Sequence, residues 1–165
     1  MKVIINNKVA VIGMPVYLMV AIITAGIIIG LFALSIHNTI ANSQNEQIKK
    51  EIEKIITEAE NMFEYADSGT LVTVSVDFSD ALNFVVFGSM PKNGAAEPKD
   101  FTLVEEMSNN YYFVTNDGTI SSYKSNARFS SEDISKIAVF GSGSFDLKLE
   151  LEKVGGKTYV KISKW

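Results

Sequence analysis

The sequence has no cysteine and only one histidine, His37. Without cysteine, the chain has no disulfide, no thiolate metal site and no thiol nucleophile. One histidine cannot form a histidine metal cluster or a pair of histidines for acid–base catalysis. The net charge of −4 argues against nucleic acid as a partner, because such partners need basic surfaces. No nucleophile, base and orienting group form a recognisable pattern. We therefore expect no enzyme, no metal site and no cofactor.

Charged residues are missing from a long stretch near the start of the chain, Val9 to Ile36. This run is longer than the ~20 residues that a helix needs to cross a bilayer, and longer than the roughly 7–15 residues of a secretory signal core. Lys2 and Lys8 precede the run, and no basic residue follows until Lys49. The positive-inside rule therefore predicts a retained membrane helix with its N-terminus in the cytoplasm and the rest of the chain outside.

Two glycines, Gly26 and Gly30, lie four residues apart within the uncharged run. Small residues at this spacing allow helices to approach closely in an apolar environment, which would make both glycines contact points between helices. The alternative is that glycine is simply common in membrane helices. The sequence leaves both interpretations open.

Proline and glycine are also missing from Leu31 to Ser68, and a helical pattern fills that stretch. The apolar residues follow a 4-3-4-3-4 spacing: Ile48, Ile52, Ile55, Ala59, Met62 and Ala66. This heptad seam predicts one continuous helix from about Pro15 to Ala66. Ile48, Ile52 and Ile55 are candidate helix-packing residues. The seam can pack on neighbouring copies or on the chain's own domain, and the second alternative is favoured for residues 52–66.

After Gly69 the apolar period changes from about 3.5 to 2, which predicts strands. The strands are expected over residues 70–78, 82–88, 101–107, 110–115, 119–124, 136–140, 145–151 and 157–165. Asn116-Asp117-Gly118 and Gly155-Gly156 predict hairpin turns, and residues 88–100 predict a long surface loop. The predicted fold is α+β, a long N-terminal helix followed by an antiparallel β-sheet or β-sandwich. We expect residues 70–165 to fold without the helix.

A short leader with lysines that ends in glycine, a long apolar helix that becomes amphipathic, and a compact β-domain together resemble the type IV pilin superfamily. The resemblance is closest to archaeal pilin-like proteins with a class III signal. It implies that prepilin peptidase cuts between Gly13 and Met14, which removes a leader of residues 1–13. Residues 14–68 would form the membrane or filament-core helix with its amphipathic continuation, and residues 69–165 an extracellular antiparallel β-domain.

The resemblance implies a structural subunit of a type IV pilus-like filament at the cell surface, which serves adhesion or surface contact. Its partners would be other copies of itself, the membrane before assembly, prepilin peptidase and the assembly machinery. A second interpretation stays open. The chain can instead be a single-span, membrane-anchored protein whose outer β-domain binds a ligand, a surface layer or an archaellum-type machine.

Overall fold

The computed structural model describes residues 8–92 and 94–165 and confirms the α+β class. One helix, α1 (Lys8–Tyr65), precedes all the strands. The strands are β1 (Leu71–Phe78), β2 (Leu82–Phe87), β3 (Asn110–Thr115), β4 (Ile120–Lys124), β5 (Phe129–Ser130), β6 (Ala138–Phe140), β7 (Gly143–Val154) and β8 (Lys157–Lys164). Residues 1–7 of the predicted leader lie outside the described residues.

The chain divides into two compact units, Met1–Ser43 and Gln44–Trp165. In the first unit, the described residues are helical. The second unit contains the end of α1 and all the described strands. The predicted β-domain of residues 69–165 is therefore part of a larger unit that also includes helical residues 44–65.

The strands form two four-stranded sheets. Sheet 1 has the order β1-β7-β8-β5, and sheet 2 has the order β4-β3-β2-β6. Neighbouring strands are antiparallel except β5 and β8, where Phe129 pairs with Val160 in parallel. The sequence does not predict β5. The chain crosses from sheet 2 to sheet 1 between Lys124 and Phe129, and after this crossing β5 runs parallel to β8.

Alternating apolar residues explain the long strands of sheet 1. In β7 the side chains of Leu147, Leu149 and Leu151 are buried, while the residues between them are partly exposed. Gly155 and Gly156 both have positive φ, and Val154 pairs with Lys157, so a two-residue turn joins β7 to β8. Such turns require left-handed backbone, which glycine adopts without steric cost. The hairpin predicted at Gly155-Gly156 is thus confirmed.

The strand predicted over residues 101–107 is wrong. This segment contains a single isolated bridge, Thr102 to Lys136, and a 3-10 helix over Glu105–Met107. Leu103 packs on the outer face of sheet 2, and its backbone N–H donates to the carbonyl of Ser135 at 2.7 Å. The apolar pattern therefore reflects one partly buried residue, Leu103, that anchors a loop. The neighbouring loop of residues 88–100 is likewise tied to the domain, because Ala95 packs on the same face.

The main core lies between α1, sheet 1 and the inner face of sheet 2. The helix contributes Ile48, Ile52, Ile55, Ala59 and Met62, all of them buried. A second cluster on the outer face of sheet 2 contains Phe84, Val86, Tyr112, Val114 and Ile137. Both faces of sheet 2 therefore carry buried apolar residues, whereas an antiparallel sheet often has one face exposed to solvent.

Candidate functional site

The apolar part of α1 is the first candidate site. Val16–Ala33 has a mean hydropathy of 2.5 and is the single helical segment among the described residues that is long and apolar enough to cross a membrane. A signal sequence near an N-terminus, or a buried core helix, can have the same composition. Here none of the segment is buried within the chain, which excludes the core-helix explanation.

Thr24 shows how a hydroxyl is accommodated in this segment. Its Oγ1 donates to the backbone carbonyl of Val20, one turn earlier, at 2.8 Å. A hydroxyl that bonds its own helix needs no water, so the residue is compatible with an apolar environment. The polar residue therefore does not weaken the apolar character of the segment.

Gly26 and Gly30, predicted to lie at helix–helix contacts, fall within this exposed segment. A Cβ atom built on either glycine would meet no atom within 4 Å outside the local helix backbone. Packing within the chain therefore does not require glycine, although each glycine costs a helix about 1 kcal/mol relative to alanine. The contact between copies stays a prediction.

Gly13 and Met14, the predicted processing site, both fall inside α1. The helix begins at Lys8, earlier than the start near Pro15 that the sequence predicts. Proline is tolerated in the first helical turn but costs more in a helix interior, and the prediction relied on this preference. Cleavage between Gly13 and Met14 stays a prediction.

Ile48, Ile52 and Ile55 lie in the core of the second unit, with exposed fractions of 0%, 2% and 0%. They pack with residues of both sheets in the main core. Within one chain, the seam thus faces the chain's own domain at these three positions. Their burial follows directly from the heptad spacing, which places them on one face of α1.

An aromatic cleft between α1 and the β3–β4 hairpin is a second candidate site, and the sequence analysis missed it. Tyr111 pairs with Tyr123 across the two strands, and their rings stack at 5.4 Å with an angle of 21°. Phe113 stacks on Tyr123 at 6.3 Å. The cavity of about 300 Å³ is lined by these three rings and by Glu46, Lys49, Ile52 and Glu53 of the helix.

The cleft contains charges of both signs. Lys49 Nζ lies 3.2 Å from Glu46 Oε1, and both side chains are well exposed. The hydrogen bond to Glu46, then the negative charges of neighbouring acidic groups, raise the pKa of Lys49, so it stays protonated near neutral pH. Burial raises the pKa of Tyr111, whose hydroxyl also stays protonated. The cleft therefore offers ammonium and hydroxyl donors beside carboxylate acceptors.

A sequence signal for this cleft was present. The turn at Asn116-Asp117-Gly118 predicts the β3–β4 hairpin and with it the register that places Tyr111 opposite Tyr123. The sequence does not predict where α1 lies relative to this hairpin. The helix completes the cleft, since the side next to the seam carries Glu46, Lys49 and Glu53.

On the opposite side of the helix, Glu51 contacts the free edge of sheet 1. Its Oε2 accepts a hydrogen bond from the backbone N–H of Asp77 at 3.1 Å and one from Lys54 Nζ at 2.8 Å. Strand β1 is the edge strand, and an outward N–H on such a strand can pair with another chain. The carboxylate of Glu51 accepts from one of these donors, the backbone N–H of Asp77.

Among residues 8–92 and 94–165, no three histidine, aspartate or glutamate side chains are grouped so that they could hold a metal ion. The site residues that the structure brings together are the three isoleucines in the core, while Gly26 and Gly30 lie on an uncovered helix surface. No known family model, curated protein or solved structure matches this chain.

Proposed function

We propose that this protein is a structural subunit of an extracellular type IV pilus-like filament that assembles through its N-terminal helix and serves adhesion or surface contact. One observation carries the proposal. The uncharged segment Val16–Ala33 is wholly exposed within the chain, whereas the second unit has a well-buried core of its own. A protein that exposes so much apolar helix needs lipid or other copies of itself to cover it.

The physical reason is the cost of leaving this surface in water. Each Leu, Ile, Val, Met or Phe side chain gains about 1.5–3 kcal/mol when it is fully buried. Ile22, Ile23 and Ile27 are 58–63% exposed, and their neighbours along the segment are similar. The membrane covers the segment first, with the N-terminus in the cytoplasm. After processing by prepilin peptidase and action of the assembly machinery, helices of neighbouring subunits cover it instead.

The two glycines support packing between copies. Lipid tails are as apolar as the helix, so burial from water does not drive helices together within a membrane, and close packing has to supply the attraction. Gly26 and Gly30 allow such packing, and among the described residues no atom outside the local helix backbone lies within 4 Å of a Cβ built at either position.

A second candidate function is a single-span anchored protein whose outer domain binds a ligand, a surface layer or an archaellum-type machine. The burial of Ile48, Ile52 and Ile55 in the chain's own core favours it, since these residues are then not available to neighbouring copies. The first candidate function requires filaments at the cell surface, whereas the second requires single chains anchored in the membrane.

Material sheared from the surface of producing cells distinguishes them. Electron microscopy and mass spectrometry should find filaments that contain this chain with Met14 as its first residue. Gly13→Val should leave the leader attached and reduce assembly. A protein found only as a membrane monomer, or one that begins at Met1 within filaments, contradicts the corresponding part of the proposal.

Substitution of the glycines tests the packing directly. Gly26→Leu and Gly30→Leu should weaken or abolish filaments because a leucine side chain separates the helices. Membrane insertion should persist, since leucine favours a span by roughly 0.5 kcal/mol. Ile27→Leu is the matched control, because it introduces leucine in the same segment without removing a glycine. Normal filaments from both glycine variants would exclude these residues as packing contacts.

A further inference from the structure

The aromatic cleft has features that core packing does not demand. Tyr123 is 40% exposed and lies on β4, the edge strand of sheet 2. Its ring nevertheless stacks on both Tyr111 and Phe113. Phe113 and Ile52 are buried and close the cavity on its apolar side. The result is a cavity with partly accessible aromatic surface and a fixed apolar base.

The charges around the cavity narrow the class of ligand. Glu46 and Glu53 would repel a phosphate or another anion, whereas Lys49 already pairs with Glu46 and competes with an organic cation for that carboxylate. A neutral ligand with many hydroxyl groups meets neither obstacle. Its hydroxyls can donate to the two carboxylates and accept from the Lys49 ammonium and from the Tyr111 hydroxyl.

The shape and size of the cavity agree with such a ligand. Ligand cavities start at about 300 Å³, and they combine apolar or aromatic walls with a few polar groups that fix orientation. The cleft has about this volume and this combination. A sugar ring has an apolar C–H surface that packs on aromatic rings and a rim of hydroxyls that reaches the polar groups.

From these features we infer that the cleft between α1 and the β3–β4 hairpin binds a carbohydrate residue. Tyr123 supplies the aromatic contact, and Glu53 with the Glu46–Lys49 pair supplies the polar contacts. The inference does not depend on filament assembly, because every lining residue belongs to the second unit of one chain.

The test uses the full chain in a detergent without sugar groups. Saturation-transfer NMR measures binding of methyl glycosides of glucose, galactose, mannose and N-acetylglucosamine, and in parallel of tetramethylammonium and inorganic phosphate. At least one glycoside should bind with millimolar affinity, and the two ions should not compete with it. Tyr123→Ser should weaken binding about tenfold, in line with the loss of one aromatic stacking contact.

Two further variants complete the test. Glu53→Gln should also weaken binding, and it changes no residue of the core. Tyr65→Ser is the matched control, because Tyr65 is 78% exposed and lies outside the cleft. Thermal unfolding confirms that each variant is folded. No glycoside binding, preferential binding of either ion, or equal affinity in Tyr123→Ser, Glu53→Gln and Tyr65→Ser would overturn the inference.

Discussion

Asp133 illustrates how a loop carboxylate makes stability depend on pH. Hydrogen bonds from the hydroxyl and the backbone N–H of Ser135, together with the nearby Lys136, hold the pKa of Asp133 at about 2, below its usual 3.8. Hydrogen bonds from Lys148 and Lys161 lower the pKa of Glu150 in the same direction. Folding therefore favours the ionised form of these carboxylates.

This direction determines the effect of acid. A group whose pKa is lower in the folded state stabilises the protein above its unfolded pKa, and that contribution is lost as the pH falls through the folded pKa. The free energy of unfolding should therefore decrease from about pH 4 to about pH 2, the interval between the two values for Asp133. Thermal unfolding at a series of pH values measures it. Asp133→Asn should flatten the curve in this interval, and a curve as steep as that of the wild type would contradict the assignment.

Glu60 connects the helix to the segment that crosses between the sheets. Its Oε1 accepts hydrogen bonds from Ser125 Oγ at 2.6 Å and from the backbone N–H of Asn126 at 2.9 Å. Ser125 Oγ in turn accepts from the N–H of Ala127, a fully buried residue. The carboxylate of Glu60 thus holds residues 125–127 of this segment against the helix, directly or through Ser125.

Glu60→Ala should lower the free energy of unfolding by about 1–3 kcal/mol, because it leaves the hydroxyl of the buried Ser125 and the backbone N–H of Asn126 without this acceptor. Glu58→Ala is the control, since Glu58 lies on the same helix and its side chain makes no hydrogen bond among the described residues. Denaturant unfolding of both variants gives the comparison. An equal loss in the two would mean that helix propensity or general charge, and not this contact, determines the effect.

At the scale of elements, the end of α1 acts as a structural layer of the β-rich unit. Residues 70–165 alone would expose the core surface that Ile48, Ile52 and Ile55 cover. We therefore expect a fragment of residues 44–165 to unfold cooperatively and a fragment of residues 70–165 to show no cooperative transition, contrary to the expectation from strand alternation alone. Calorimetry of both fragments measures this. A cooperative transition at a similar temperature in the shorter fragment would show that the helix is dispensable.

The sequence predicts those elements that carry their own repeating pattern. Apolar and polar residues alternate from Val72 to Phe78 in β1 and from Phe145 to Leu151 in β7. The structure has β1 within one residue of its predicted bounds, whereas β7 extends two residues before and three residues beyond the predicted 145–151. β5 has two residues and pairs through a partner far along the chain, so no local pattern marks it. The segment around Leu103 resembled a strand because, over a short window, one partly buried apolar residue in a loop gives the same sequence pattern as one in a strand.

The same limit applies to the sites. The heptad spacing of Ile48, Ile52 and Ile55 predicts a buried face but not which surface covers it, since own domain and neighbouring copy demand the same residues. The cleft depends on a meeting between α1 and a hairpin that begins more than 40 residues after the helix ends. Such long-range proximity comes from packing, which a single sequence does not encode in a local pattern.

For the whole molecule, the important feature is the division into an exposed apolar unit and a unit with its own core. The two have opposite solvent requirements. Val16–Ala33 is stabilised by removal from water, whereas the second unit has a largely polar outer surface on sheet 1, where Ser75 and Asp77 face Asp146 and Ser144 across β1 and β7. Substitutions in Val16–Ala33 should therefore change insertion or assembly, whereas substitutions in the second unit should change its free energy of unfolding.

The pairing of β1 with β7 also determines when the second unit can form during synthesis. Among the described strands, β1 pairs only with β7 in sheet 1, and β7 does not begin until Gly143. While the ribosome makes the residues between them, the apolar face of α1 from Ile48 to Met62 lacks the core residues that β7 and β8 contribute. Formation of the second unit must therefore wait until β7 has been made, as expected where contacts are distant in sequence. Any ribosome stall before β7 releases a chain with an open helix face and an unpaired strand, which chaperones and proteases recognise.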